Sequence, residues 1–67
     1  MSVAKVTEIS ASSKESFDDA VKQGIKRADE TLDRIQGAWV SEMKVKVDGG
    51  DITEYRVNLR VTFVLKD

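Results

Sequence analysis

The sequence predicts an α+β fold: strand, helix, strand, strand, with a three-stranded antiparallel sheet wrapped on one helix. Three observations carry this. Residues 52–65 alternate apolar and polar side chains, the period-two signature of a half-buried strand. Residues 14–35 place apolar side chains at steps of three and four, which line one face of a helix. DGGD at 48–51 joins two β-rich runs and reads as a tight hairpin turn.

The elements follow in order. VAKVTEIS, residues 3–10, is rich in β-branched side chains and predicts the first strand. A polar break follows, in which Ser12 and Glu15 have capping-box spacing. The helix is expected from Lys14 to Ile35, with Asp18 and Asp19 early, where the helix dipole favours negative charge. Its stripe is Phe17, Ala20, Val21, Gly24, Ile25, Ala28, Leu32 and Ile35. The charged face includes Lys22, Lys26, Asp29, Glu30, Asp33 and Arg34, with Glu30 and Arg34 forming an i, i+4 pair. Gly24 costs about 1 kcal/mol relative to Ala inside a helix, so its place in the stripe implies close approach to the sheet. Gly37 stands where the helix is expected to stop.

The second strand, Ala38 to Val47, carries a phase fault. Ala38 and Val40 are apolar in one phase, Met43, Val45 and Val47 in the other. A β-bulge near Ser41–Glu42 restores a single core phase. The third strand, Ile52 to Leu65, turns Tyr55, Val57, Leu59, Val61, Phe63 and Leu65 to one side. The other side carries Arg56, Arg60 and further polar groups. Its length, well beyond the usual five or six residues, implies a curled sheet or an end that reaches a neighbour.

Sixty-seven residues make one domain. So short a chain buries only about 60% of its unfolded surface and generally needs a staple. With no Cys and no His, disulfides, imidazole bases and the common zinc sites are excluded, leaving oligomerisation. Eleven basic against twelve acidic residues argue against a general nucleic-acid binder. No apolar run approaches the length of a membrane span, and MSVAKVTEIS lacks the apolar core of a secretory leader. A cytoplasmic location is expected. No acid spacing marks a catalytic pair, DGGDITE lacks the ligand pattern of an EF-hand loop, and no phosphate loop is present. Enzymatic activity is not expected. Asp48 and Asp51 could gather a hard cation with help from a neighbouring chain.

Trp39 is the only tryptophan. If Ala38 and Val40 face the helix, Trp39 points away from it. Its ring then serves as a subunit contact or as a stacking surface for a flat ligand; a core position is the third reading.

The chain resembles the dodecins. The resemblance rests on VAKVTEIS, on Ser13, Ser16 and Phe17 at the helix entry, on Ala28 to Leu32, on EYRVNLRVTFVL at 54–65, and on the element order over nearly the whole length. It implies a flavin-binding storage and photoprotection protein that assembles as a hollow homododecamer of four trimers. In flavin-binding members, two isoalloxazine rings stack between symmetry-related tryptophans at a twofold axis. A glutamine on the last strand bonds the ring edge, and an acid on the second strand contacts the ribityl hydroxyls. Carried over, the stacking position falls at Gly37, the glutamine at Arg56 and the acid at Glu42. Trp39 lies on the same strand face as Gly37, about 6–7 Å along. Arg56 can pair with a phosphate, which favours FMN over riboflavin. Some dodecins also bind coenzyme A near the trimer axis, but no residue here carries that over. The alternative implied by Gly37 is a cage that binds no flavin and serves a structural or metal-binding role.

Overall fold

The computed structural model describes residues 3–32 and 34–65. Asp33, assigned above to the charged helix face, lies outside the described residues, as do residues 1–2 and 66–67. The elements are β1 (Ala4–Ser13), α1 (Phe17–Asp29), β2 (Ile35–Asp48) and β3 (Asp51–Val64). The sheet order is β1-β3-β2, and β3 runs antiparallel to both neighbours. The predicted α+β, β-α-β-β architecture is therefore present, with the last strand in the centre.

β3 occupies the centre because it carries the strongest apolar row. Val57, Leu59 and Val61 are almost completely buried, together with Ala20 of α1. The helix presents its small residues, Ala20, Gly24 and Ala28, to the sheet. A Cβ built at Gly24 would lie 3.0 Å from Ala11 Cβ and 3.2 Å from Leu59 Cδ1. The glycine thus sets how closely helix and sheet approach, as its position in the stripe implied. Phe17 closes one end of the core against Tyr55, edge to face at 5.1 Å.

The helix is shorter than its apolar period suggests. Its N-cap is Ser16, whose Oγ accepts from the Asp19 backbone N–H at 3.0 Å. Ser12 does not cap, because β1 continues to Ser13 and pairs Ser12 with Arg56. Ser13 instead braces the corner: its Oγ accepts from the Glu15 N–H and donates to Asp19 Oδ2. At the far end the helix stops at Asp29, six residues early. Leu32 and Ile35 still pack on the core, but from the connection and from β2. Arg34 takes a left-handed φ of 56° that turns the chain towards the sheet. Ile35 then pairs with Phe63, and this strand pairing overrides helical periodicity. Glu30 pairs with Arg27 rather than Arg34, and Gly37 lies within β2 rather than at a helix end.

Three register shifts punctuate the hairpin. The shift between Val40 and Glu42 leaves Ser41 unpaired, at the predicted bulge. Ser41 Oγ donates to the Asn58 carbonyl at 3.2 Å, occupying an acceptor beside the interrupted ladder. Gly49 and Gly50 form the turn with φ of 59° and 86°, the positive values that a tight type I′ hairpin requires.

A fourteen-residue strand spans roughly 46 Å, whereas a thirteen-residue helix covers roughly 20 Å. The hairpin therefore outruns α1. Met43, Val45, Val47 and Ile52 are 40–56% exposed. The first three were expected in the core phase; they hold that phase, but no helix reaches them. Among the described residues, no helix is long and apolar enough to cross a membrane.

Replacing Gly24 by Val should destabilise the fold by about 1–3 kcal/mol, the usual effect of overpacking. Urea unfolding would register this as a lower midpoint. An unchanged midpoint would mean that the helix–sheet contact has slack.

Candidate functional site

The sheet face opposite α1 is mostly polar and has no cover among the described residues. Its side chains form cross-strand rows. Gly37 faces Thr62, which faces Val6. Next come Trp39, Arg60 and Glu8, then Glu42, Asn58 and Ser10, then Lys44, Arg56 and Ser12. Gly37, Trp39, Glu42 and Arg56 thus share one face. If Ser41 were paired regularly instead of bulged, Trp39 and Glu42 would point to opposite faces, because side chains alternate strictly along a strand.

Trp39 is 59% exposed and points away from the helix. It is not a core residue. The Arg60 guanidinium carbon lies 5.0 Å from the Trp39 ring centroid, within range of a cation–π contact. Arg60 Nε also donates to Glu8 Oε2 at 3.3 Å. The row Trp39–Arg60–Glu8 therefore links all three strands. Around Gly37 there is open space: no atom lies within 4 Å of a Cβ built there.

Glu42 accepts from Asn58 Nδ2 at 3.5 Å, with Lys44 Nζ at 3.7 Å. Ser10 Oγ donates to Asn58 Oδ1 at 2.7 Å, which orients the amide towards Glu42. Arg56 sits one row further on, opposite Lys44. Two cations facing each other are unfavourable, and Arg56 is held by Glu54 through Nη2 at 2.9 Å and Nε at 3.2 Å. The hydrogen bond from Arg56 is the main cause that holds the Glu54 carboxyl below its ordinary pKa. This pairing favours the folded state above the ordinary carboxylate pKa and is lost as pH falls through the lowered value. Glu42 and Arg56 share a face but hold separate partners.

The sequence placed Arg60 on the polar face of the third strand without assigning it a partner, and it did not single out Glu8 or Asn58. One signal was available. Trp39 and Arg60 each lie nine residues from the Asp48–Asp51 pair at the turn. Counting outward from DGGD pairs them, because the shifts at Ser41 and Thr53 fall on opposite strands and cancel. A cleft of about 400 Å³ lies elsewhere, between α1 and β1, and contains none of the four predicted residues. Among the described residues, no group of three or more acids could hold a metal ion.

A family model for dodecin matches residues 3–66. This chain belongs to the dodecin family. It is 35% identical to the calcium dodecin of Mycobacterium tuberculosis over 66 residues, covering 98% of this chain and 93% of that protein. The dodecin from Streptomyces davaonensis superposes with a TM-score of 0.93 at 32% identity, covering 98% of this chain and 97% of its own. The crystal structure of the Mycobacterium tuberculosis calcium dodecin, a calcium-chelating antigen with a novel calcium-binding site, gives 0.82 at 35% identity, with 96% and 91% coverage. The dodecin fold thus extends over the full set of elements described above.

Replacing Arg56 by Ala should raise the Glu54 pKa towards the ordinary carboxylate range. Carboxyl-carbon NMR titration of the two proteins would show the change. An unaltered Glu54 titration would mean that Arg56 is not its main partner in solution.

Proposed function

We propose that this dodecin is a non-enzymatic flavin-binding protein, taking FMN or riboflavin for storage and photoprotection in the cytoplasm as a homododecamer of trimers. The observation that carries the reading is the exposed Trp39 ring on a polar sheet face, beside Glu42 and within the same face as Arg56. A flat electron-poor ring stacks on indole, and indole quenches an excited flavin by electron transfer. In this reading Glu42 binds the ribityl hydroxyls, Arg56 binds the ring edge, and the open space at Gly37 admits the ring. Self-association is supported by the apolar side chains exposed on the overhanging hairpin and by the two outer strands, β1 and β2, each with a free edge.

A second reading is a cage that binds no flavin. It is favoured by Gly37, which offers no aromatic plane, and by the calcium dodecin relative. Asp48 and Asp51 face each other across the turn. A cation would relieve their repulsion, with further oxygen ligands from another copy.

Titrating riboflavin and FMN with the protein should quench flavin fluorescence and saturate near one flavin per subunit. Absence of quenching by a confirmed dodecamer, with calcium binding seen by calorimetry, would favour the second reading. Trp39→Ala should retain the assembly and lose flavin; collapse to trimers or monomers would make Trp39 a subunit anchor instead. A Cβ at position 37 meets nothing within 4 Å, and Gly37→Trp should tighten flavin by about tenfold, the effect of an added aromatic contact of roughly 1–1.5 kcal/mol.

A further inference from the structure

We infer that Arg60 is a specificity-determining residue, and that it makes the Trp39 face select flat aromatic anions over neutral rings of the same shape. The inference rests on the proposed function for the place where the ring binds. The observation behind it is the Trp39–Arg60–Glu8 row. The guanidinium already occupies one face of the indole at 5.0 Å. A ring that stacks on that face must first displace it. Displacement forfeits the cation–π contact, which weakens every ring by about two- to five-fold.

A neutral ring returns little to the displaced cation. An anionic ligand returns a charge-assisted hydrogen bond, about twice as strong as a neutral one. Arg60 has the capacity to make it. Guanidinium carries five N–H donors, and the bond to Glu8 uses Nε. The same bond keeps the displaced side chain beside the ring instead of releasing it to solvent. Surrounding charges sort into local pairs: Arg56 with Glu54 and Lys44 with Glu42. Arg60 is the cation placed directly on the stacking plane.

The test compares riboflavin with FMN, which has the same isoalloxazine ring and adds a phosphate at the end of the ribityl chain, on the intact oligomer of the wild type, Arg60→Gln and Glu8→Gln. The wild type should bind FMN about fivefold or more tighter than riboflavin. In Arg60→Gln the ratio should fall close to one, with riboflavin tightened about two- to five-fold. Glu8→Gln frees the guanidinium and should widen the FMN preference. Equal affinities in the wild type, or a preference that survives Arg60→Gln, would overturn the inference while leaving flavin binding intact. If neither flavin binds, the flavin reading falls by itself, and quenching of the sole tryptophan decides the role of Arg60. At constant ionic strength, iodide should quench Trp39 more strongly in the wild type than in Arg60→Gln, with acrylamide quenching equal in both. Equal iodide quenching would overturn the inference.

Discussion

The fold depends on one contact, the packing of Ala20, Gly24 and Ala28 onto the buried row of β3. Small helix residues let the backbone of α1 come close to Leu59 and Ala11. Only that proximity allows a short helix to seal three strands. Burial of apolar area at roughly 25 cal/mol per Å² is then concentrated in Val57, Leu59 and Val61. It also explains the strand order. β3 has an apolar side chain at every second position over its central stretch, so it tolerates neighbours on both edges and cover from above. The cost is at the extremities: the hairpin continues past the helix and leaves its apolar face open.

The second constraint is the bulge at Ser41. It converts a faulty alternation into a single core phase and, by the same step, brings Trp39 and Glu42 to one face. Val40 and Met43 stay on the helix side of the sheet only because Ser41 is unpaired. Core and candidate site are thus coupled by one inserted residue. Pairing Ser41 into a regular ladder would exchange the faces of everything from Ile35 to Val40 relative to the hairpin tip. The hydroxyl of Ser41 on the Asn58 carbonyl and the Ser10–Asn58–Glu42 chain of hydrogen bonds hold the geometry on both sides of the bulge.

The open sheet face is neutralised locally. Glu8 meets Arg60, Glu42 meets Lys44, and Glu54 meets Arg56. Exposed pairs of this kind contribute about 0–1 kcal/mol each, so their role in stability is small. Their effect on recognition is larger, because they decide which cations are engaged and which aromatic surface is covered. Trp39 differs from the other large side chains of this face: it is apolar, exposed, and contacted by an arginine instead of by the core.

By itself the sequence determined the element types and their order, the hairpin turn, the bulge, the buried row of β3 and the outward direction of Trp39. These are local properties: period, turn chemistry and alternation. The dodecin resemblance was also legible, from the strand and helix-entry motifs. Tertiary structure alone decided where the helix ends and which serine caps it. Strand pairing at Ser12–Arg56 and Ile35–Phe63 outweighed the helical signal at both ends. It also decided that Met43, Val45 and Val47 are exposed despite their core phase, since exposure depends on the reach of α1. Finally, it placed Arg60 over Trp39 and against Glu8. Those three residues lie on three different strands, and only the registers of two separate ladders bring them into one row.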